Sequence, residues 1–386
     1  MRRIRTLLES ACTIMLCYLL FPVALWKYRG REIWLIAERG TDARDNGYHF
    51  FKYLREQHPE IETYFVITED SADRDKVAAL GDVVKYGSLQ HYLMFVAAKY
   101  KISTHVFGYV PNLHYSIRLL TLLPRYGKRI LLKHGIIQND MPVLYREKTA
   151  LDLLICGAKK EYDHVAANFH YTNEVKYTGL ARYDALHDAQ VKAQILLMPT
   201  WRLYLNKAAE AELVQSEYVK RWNAVLRDTR LQEALKANQK TLVFYPHYEV
   251  QKKFLHLFAS NDPSVVVADF DHYDVQQLLK ESQLLITDYS SVFFDFAYMK
   301  KPCVYYQFDE AQFFSGHYRR GYFDYRKMGF GEVLTDHDAL VDTLISYLES
   351  NCQPKEEYAC RMAEFFPLHD AHNCDRIYEE IIKLER

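Results

Sequence analysis

The sequence predicts an α/β protein built on two parallel sheets. Three observations carry this. From Arg31 onward, apolar runs of strand length alternate with helical stretches, the pattern of parallel strands joined by crossover helices. That pattern halts in a polar stretch at 184–194, DALHDAQVKAQ, and then begins again. The chain has 386 residues, enough for two ordinary domains.

In the first half the runs are IWLIA (33–37), TYFVI (63–67), DVVKY (82–86), YKIST (100–104), RILLK (129–133) and LDLLIC (151–156). In the second they are ILLMPTW (195–201), TLVFYPHY (241–248), SVVVADF (264–270), QLLITD (283–288), CVYYQF (303–308) and EVLTD (332–336). Two amphipathic stretches, DALVDTLISYLES and CDRIYEEIIKLER, read as helices that close the chain. The expected division is a segment 1–30, a first domain 31–190 and a second domain 191–386. Two such sheets facing each other leave a cleft. Ligands of open α/β sheets sit at the carboxyl ends of the strands, so chemistry is to be sought there.

Composition narrows the function. Hydrophobic residues make up 49% of the chain, which suits a packed core rather than disorder. The formal net charge of −1 announces no polyanion-binding surface, and no nucleic-acid partner is expected. Seven cysteines, an odd count without a CxxC pair or metal-type spacing, read as reduced thiols of a cytoplasmic body. No metal and no cofactor is implied.

The N-terminus, MRRIRTLLESACTIMLCYLLFPVALWKYRG, carries arginines and then an apolar run from Ala11 to Trp26. That run is short of the roughly 20 residues of a spanning helix, and Pro22 interrupts it. Basic flanks and a boundary Trp26 suit a helix lying in a membrane interface. The other reading is a first helix packed on the body. The stretch 112–129, NLHYSIRLLTLLPRYGKR, has the same two readings, a second interfacial helix or one packed on the first sheet.

The most informative stretch is 286–309, ITDYSSVFFDFAYMKKPCVYYQFD. A buried strand ends in Thr287, Asp288, Ser290 and Ser291, and a helical pattern follows. Ser290 or Ser291 is a natural N-cap, and a helix N-terminus with serine hydroxyls is a ready site for phosphate. The plain alternative is an ordinary capped helix. Asp288 then holds the turn or binds substrate hydroxyls. Other strands end similarly: MPTWR with Thr200 and Arg202, YPHYE with His247, and KHG with His134 and Gly135. One histidine suits a general base and the other a stabiliser of phosphate charge. The stretch GHYRRGYFDYRK offers Arg319 and Arg320 either as an anion clamp or as a solvated loop.

These residues resemble the CDP-glycerol glycerophosphotransferase family, the teichoic-acid primases and polymerases, over most of the chain after residue 31. ITDYSSVFFDFAYMKKPCVYYQFD is similar to the family's TDYSSxxFDFA…KPxxxY pattern, and GYFDYRKMGFGEVLTD to the segment after it. MPTWR, YPHYE, TGLARYD and AERGTDARDNGYHFFKYL, with Asn46 in register, match shorter family stretches. Two departures stand out. KHGIIQND keeps His134 and Gly135 but not the family's Thr-Pro-Leu-Lys, and in YPHYE the proline precedes the histidine.

The resemblance implies a GT-B fold: two Rossmann-like domains facing across a cleft, with an N-terminal membrane-associating segment. It implies a CDP-alditol donor, CDP-glycerol foremost, and a lipid-linked or polymeric acceptor. An acceptor hydroxyl attacks the β-phosphorus and CMP leaves, in teichoic-acid-like or capsule polymer synthesis. His134 is the implied base. His247, Ser290, Ser291, Arg319 and Arg320 neutralise the pyrophosphate, with Thr200, Arg202 and Asp288 about it, and Gly135 and Asn46 on the acceptor side. The place implied is the cytoplasmic face of the cell membrane, peripheral or monotopic. Two rivals are a glycosyltransferase of the same fold using a sugar nucleotide, and a non-catalytic membrane-attached scaffold.

Overall fold

The computed structural model describes residues 2–112, 121–188, 190–316 and 319–385. It divides into two compact units. The first gathers residues 1–136, 141–185 and 368–386, and the second gathers 137–140 and 186–367. The expected step at 190/191 therefore compares with an observed one at 185/186, with two exchanges. Residues 137–140 join the second unit, and the last helix, Asn373–Lys383, joins the first.

The first unit holds seven strands: β1 (Trp34–Ala37), β2 (Thr63–Ile67), β3 (Val83–Lys85), β4 (Tyr100–Ser103), β5 (Lys128–Leu131), β6 (Leu153–Cys156) and β7 (Val175–Tyr177). Their order across the sheet is β3-β2-β1-β4-β5-β6-β7, all parallel. The second unit holds β8 (Gln194–Met198), β9 (Thr241–Phe244), β10 (Val265–Val267), β11 (Leu285–Thr287), β12 (Cys303–Tyr306) and β13 (Val333–Leu334). Their order is β10-β9-β8-β11-β12-β13, again parallel. Helices cover sheets of this kind on both faces, so their strands read as continuous apolar runs, as β1 and β12 do. Strand β7 lies outside the expected runs. It has three residues, one of them Lys176, and leaves too little apolar sequence to be noticed.

In each sheet the order reverses at the first strand. The chain moves outward through β2 and β3 and then returns to the other side of β1 at β4; β8 and β11 repeat this. Neighbouring connections leave opposite faces at that point, and a crevice opens beyond the strand ends.

The helix Asn373–Lys383 returns to the first unit because its apolar stripe fits there. Cys374, Ile377 and Ile381 are buried in one cluster with Trp34, Ile36 and Ile155. Asp184 accepts from the Asn373 and Cys374 backbone N–H groups at 2.9 and 2.8 Å, and Arg376 donates to the Thr178 carbonyl at 2.8 Å.

The N-terminal helix runs unbroken over Arg2–Lys27, so Pro22 does not interrupt it. By length and composition its stretch Leu8–Lys27 is apolar enough to cross a membrane. Along one face Ser10, Thr13, Cys17 and Ala24 are buried, and Thr13 Oγ1 lies 3.2 Å from the Tyr92 hydroxyl of the helix Leu89–Ala97. The opposite face exposes Leu8, Met15, Leu19, Val23 and Trp26, the last at 78%. The helix is therefore packed on one side and exposes apolar side chains on the other. Of the stretch 112–129, read as a second interfacial helix or one packed on the first sheet, residues 113–120 lie outside the described residues. Its last two members, Lys128 and Arg129, begin β5.

The second unit's core centres on Trp222 of the helix Glu217–Arg227. The indole meets the rings of Tyr218, Tyr306 and Phe308 edge-on at 6.4, 5.4 and 5.6 Å. Trp222→Ala is expected to cost about 3–5 kcal/mol, read as a lowered urea midpoint with an unchanged slope. A loss under about 1 kcal/mol, the size of a surface change, would show the core is not organised there.

Candidate active site

In the first unit the site residues stand at the carboxyl ends of β1, β4 and β5. Glu38 and Arg39 follow β1, Thr104 and His105 follow β4, and Lys133 and His134 follow β5. Glu38 is buried and builds the loop after β1. Its carboxylate accepts from the backbone N–H groups of Asp45, Tyr48 and Arg44 at 2.8, 2.9 and 3.0 Å. Burial and the nearby Asp45 push its pKa up, to about 8, while those donors pull it down. Gly47 is needed here, because a Cβ would stand 2.8 Å from the Glu38 side chain.

The backbone carrying His134 is clamped. Asn46 Nδ2 donates to the Lys133 carbonyl at 2.8 Å, and Arg182 Nη1 donates to the His134 carbonyl at 3.0 Å. Asn46 Oδ1 accepts from the Arg182 backbone N–H at 3.0 Å, and Asp45 pairs with the Arg182 guanidinium at 2.9 Å. Lys133 has φ +61°, a left-handed conformation that costs a non-glycine residue of order 1–3 kcal/mol. Its ammonium is buried against the buried Glu161 carboxylate, and that pair holds the residue in place.

His134 is open to solvent, and its ring stacks on His105 with centroids 4.8 Å apart and planes 7° from parallel. Surrounding protein first, and then the charges of Arg39, Arg182 and Lys133, hold its pKa down at about 4. The neighbouring Thr104 backbone opposes this slightly. The ring is therefore neutral at neutral pH and keeps a lone pair on one nitrogen. His105 is held well below the usual imidazole range by burial, His134 and Arg39.

In the second unit the corresponding strand ends belong to β8 and β11. Asp288, fully buried after β11, accepts from the Thr200 backbone N–H at 2.8 Å and from that of Tyr289 at 2.6 Å. Arg202 is 1% exposed and lies 2.8 Å from Asp288 and 2.7 Å from Asp309. Burial opposes the guanidinium charge, but the two carboxylates more than offset it and hold its pKa above the ordinary range. Arg202, expected among the phosphate contacts, is thus an internal cation that locks three strand-end loops together. Thr200 Oγ1 is buried at the same place with no hydrogen-bond partner.

The serines do not cap the helix expected to start beside them. That helix covers only Phe293–Tyr298, and Val292 occupies its cap position without a side-chain bond. Ser290 and Ser291 instead offer their carbonyls to Phe293 and Phe294 at 3.4 and 3.1 Å, and both stay half-buried. His247 does cap its helix, Tyr248–Phe254. Its Nδ1 accepts from the Glu249 backbone N–H at 3.2 Å, which leaves the ring proton on Nε2. Arg320 pairs with Glu310 at 2.9 Å and lies 4.2 Å over the Phe314 ring. Arg319 is exposed, and its backbone bridges to Asp140. Gly135 is buried beside His134.

Sequence reasoning passed over four contributors. Arg39, His105 and Arg182 stand around His134. Gln138, in the departing QND stretch, belongs to the second unit, where its amide donates to the Tyr289 carbonyl and accepts from the Tyr325 hydroxyl, both at 3.0 Å. The histidine at a strand end in STH was the available signal for His105. Among the described residues no three His, Cys, Asp or Glu side chains gather to hold a metal ion.

The family model for CDP-Glycerol:Poly(glycerophosphate) glycerophosphotransferase matches residues 19–383. The chain belongs to this family. It is 35% identical over 370 residues to the minor teichoic acid biosynthesis protein GgaB of Bacillus subtilis (strain 168), covering 93% of this chain and 40% of that one. It is 27% identical over 247 residues to the teichoic acid poly(glycerol phosphate) polymerase of Bacillus spizizenii, covering 61% and 60%. The chain therefore spans 40% and 60% of the length of these two relatives. Among solved structures it is similar to the wall teichoic acid polymerase TagF, with a TM-score of 0.69 at 17% identity, covering 100% of this chain and 98% of that one. A TagF variant soaked with CDPG is similar to the same degree, with a TM-score of 0.69 at 16% identity. At such identities the likeness is one of fold: two parallel sheets in an α/β protein.

Arg202→Met would leave Asp288 and Asp309 buried without their cation, at an expected cost of about 3–5 kcal/mol. Orphaned carboxylates have folded pKa values raised above their unfolded ones, so the variant should recover stability as pH falls from about 7 to about 5. Urea denaturation at both pH values reads this. A deficit that is constant or grows on acidification would show that the pair is not what Arg202 neutralises.

Proposed function

We propose that this glycerophosphotransferase-family chain transfers an alditol phosphate, foremost glycerol phosphate, from a CDP-alditol to a hydroxyl of a lipid-linked or polymeric acceptor. The observation that carries the reading is the state of His134 within a family of phosphotransferases. It is exposed, clamped through two backbone carbonyls, stacked on His105 and neutral at physiological pH. That is the state a general base must be in before it acts.

In the proposed reaction the acceptor oxygen attacks the β-phosphorus as His134 takes its proton. The bond from that phosphorus to the bridging oxygen breaks and CMP leaves. The product is a phosphodiester, so each transfer adds one alditol phosphate. The second unit supplies charge neutralisation and alignment, which such transfers need most. His247 presents Nε2–H, and the orphaned Thr200 hydroxyl and those of Ser290 and Ser291 add donors. Arg319 brings an exposed charge to the leaving pyrophosphate, with Arg320 sharing its charge with Glu310. Asp288 and Arg202 act behind them as positioning residues, as Asn46 and Gly135 do for His134. In this reading the two sheets form the GT-B pair. The TagF variant soaked with CDPG and the polymerase relatives support the choice of donor and acceptor class.

The test is nucleotide release followed by mass spectrometry, with CDP-glycerol, CDP-ribitol and sugar nucleotides offered separately beside a poly(glycerol phosphate) acceptor. CMP from a CDP-alditol is expected, falling about 10²-fold or more in His134→Ala and in His247→Ala. A base must be unprotonated, so the rate falls as pH drops through its pKa; here that acid limb should lie near 4, below the ordinary histidine range. A limb at or above about 6.5 would remove His134 as the base. Release only from a sugar nucleotide would replace phosphotransfer with glycosyl transfer. Turnover that is unchanged in both histidine variants would overturn the assignment of the site.

The same proposal puts the chain on the cytoplasmic face of the membrane through its N-terminal helix. The support is the exposed row Leu8, Met15, Leu19, Val23 and Trp26 on a helix whose other face is already packed. Burying each such side chain in lipid is worth about 1.5–3 kcal/mol. Leu19→Ser with Trp26→Ser should therefore lower co-sedimentation with anionic vesicles by at least about tenfold. Undiminished binding would place the membrane contact elsewhere.

A further inference from the structure

We infer that Arg39 and His105 form an anion subsite beside His134 that takes a phosphate of the acceptor, an inference that rests on the phosphotransfer reading above. The first ground is place. Arg39 follows β1 and His105 follows β4, the two strands between which the first sheet reverses its order. A ligand of this sheet is expected there.

The second ground is charge. The other cations of this cluster each have a close carboxylate: Lys133 with Glu161, Arg182 with Asp45 at 2.9 Å, and Arg44 with Asp73 at 2.8 Å. Among the described residues Arg39 has only Asp42 as a carboxylate partner, at 4.0 Å, and its side chain is 60% exposed. Glu38, its neighbour in the chain, faces the backbone N–H groups of its own loop.

The third ground is how Arg39 is held. Its Nε donates to His105 Nε2 at 3.2 Å, and His105 Nδ1 lies 2.9 Å from Thr104 Oγ1. A lone pair at Nε2 requires the ring proton on Nδ1, so Thr104 accepts it and the imidazole is neutral. A carboxylate in that position would orient the guanidinium and cancel its charge. A neutral imidazole orients it and leaves the charge for an incoming anion. The guanidinium fork then suits two oxygens of a phosphate.

The fourth ground is proximity to the base. His105 stacks directly on His134. An acceptor hydroxyl giving its proton to His134 belongs to a glycerol unit whose phosphate is only a few bonds away. A cation one ring distant would hold that phosphate and so align the hydroxyl. Arg39 would then contribute to acceptor binding and His105 would act as a positioning residue.

The experiment follows the imidazole signals of the ¹⁵N-histidine-labelled 386-residue chain in detergent as sn-glycerol 3-phosphate is added, with CMP and glycerol in parallel arms. Saturable shifts of His105 and His134 are expected with glycerol phosphate and not with glycerol. Arg39→Lys should keep them, and Arg39→Gln should weaken binding about 10- to 100-fold. His105→Gln retains an acceptor for Arg39 and should preserve the His134 shift. His105→Phe retains the stack without the acceptor and should lose it. Equal affinity in Arg39→Gln, or no saturable shift in the wild type, would overturn the subsite. An Arg39-dependent shift with CMP alone would assign it to the donor and overturn the acceptor reading. CMP release from CDP-alditols in the same samples separates the two claims. Its absence alongside Arg39-dependent glycerol phosphate binding would sink phosphotransfer and leave the anion subsite standing.

Discussion

At the strand ends of both sheets a cation withdrawn from water is matched by a buried carboxylate. In the first unit Lys133 is buried against Glu161 directly before His134. In the second, Arg202 is buried between Asp288 and Asp309 directly after β8. Such pairs gain little net stability over apolar side chains of the same size, but breaking one is costly. Their effect is to leave each loop few alternative conformations. Lys133 shows this most directly, since its left-handed backbone persists only where its surroundings over-determine it.

Around these pairs the polar groups divide into those spent inside and those left outward. Asn46 uses its carbonyl on Arg182 and its amide on Lys133. Asp288 uses its carboxylate on Thr200, Tyr289 and Arg202. Both are fully buried, and both hold other residues in position. What remains for a ligand is a smaller set, among them His134, Arg39, the Thr200 hydroxyl and the two half-buried serines. A rigid inner layer bearing a few outward groups is what pre-organised catalysis needs.

Much of the fold was legible in the sequence because parallel strands buried on both faces leave continuous apolar runs. Strand β7 escaped because three residues with a lysine in the middle make no run. The helix Asn373–Lys383 was legible as an amphipathic helix, but not its partner, because an apolar stripe does not say which core it covers. At the candidate site, the places of His134 and His247 past strand ends were legible, because each follows an apolar run. The sequence was misread at Ser290 and Ser291, where the hydroxyls looked like caps but the backbone carbonyls began the turn. Arg39, Arg182 and Gln138 left no local signal, since their roles come from residues far away in the chain: Arg182 acts on Asn46, and Gln138 on Tyr289.

The two histidines chosen from the sequence show how backbone geometry divides one side chain between two tasks. An imidazole that is neutral has one donor and one acceptor, so fixing one nitrogen decides what the other offers. At the helix Tyr248–Phe254, a backbone N–H occupies His247 Nδ1 and leaves Nε2 as a donor, suited to an anionic oxygen. After β5, the His134 ring is held neutral and so keeps a lone pair on one nitrogen, suited to a hydroxyl. Nearby cations keep that lone pair free by disfavouring a second proton. The same cations would attract a phosphate. Within the first unit, the charge that disfavours a second proton on His134 and the charge that would draw an anion towards it therefore come in part from one residue, Arg39.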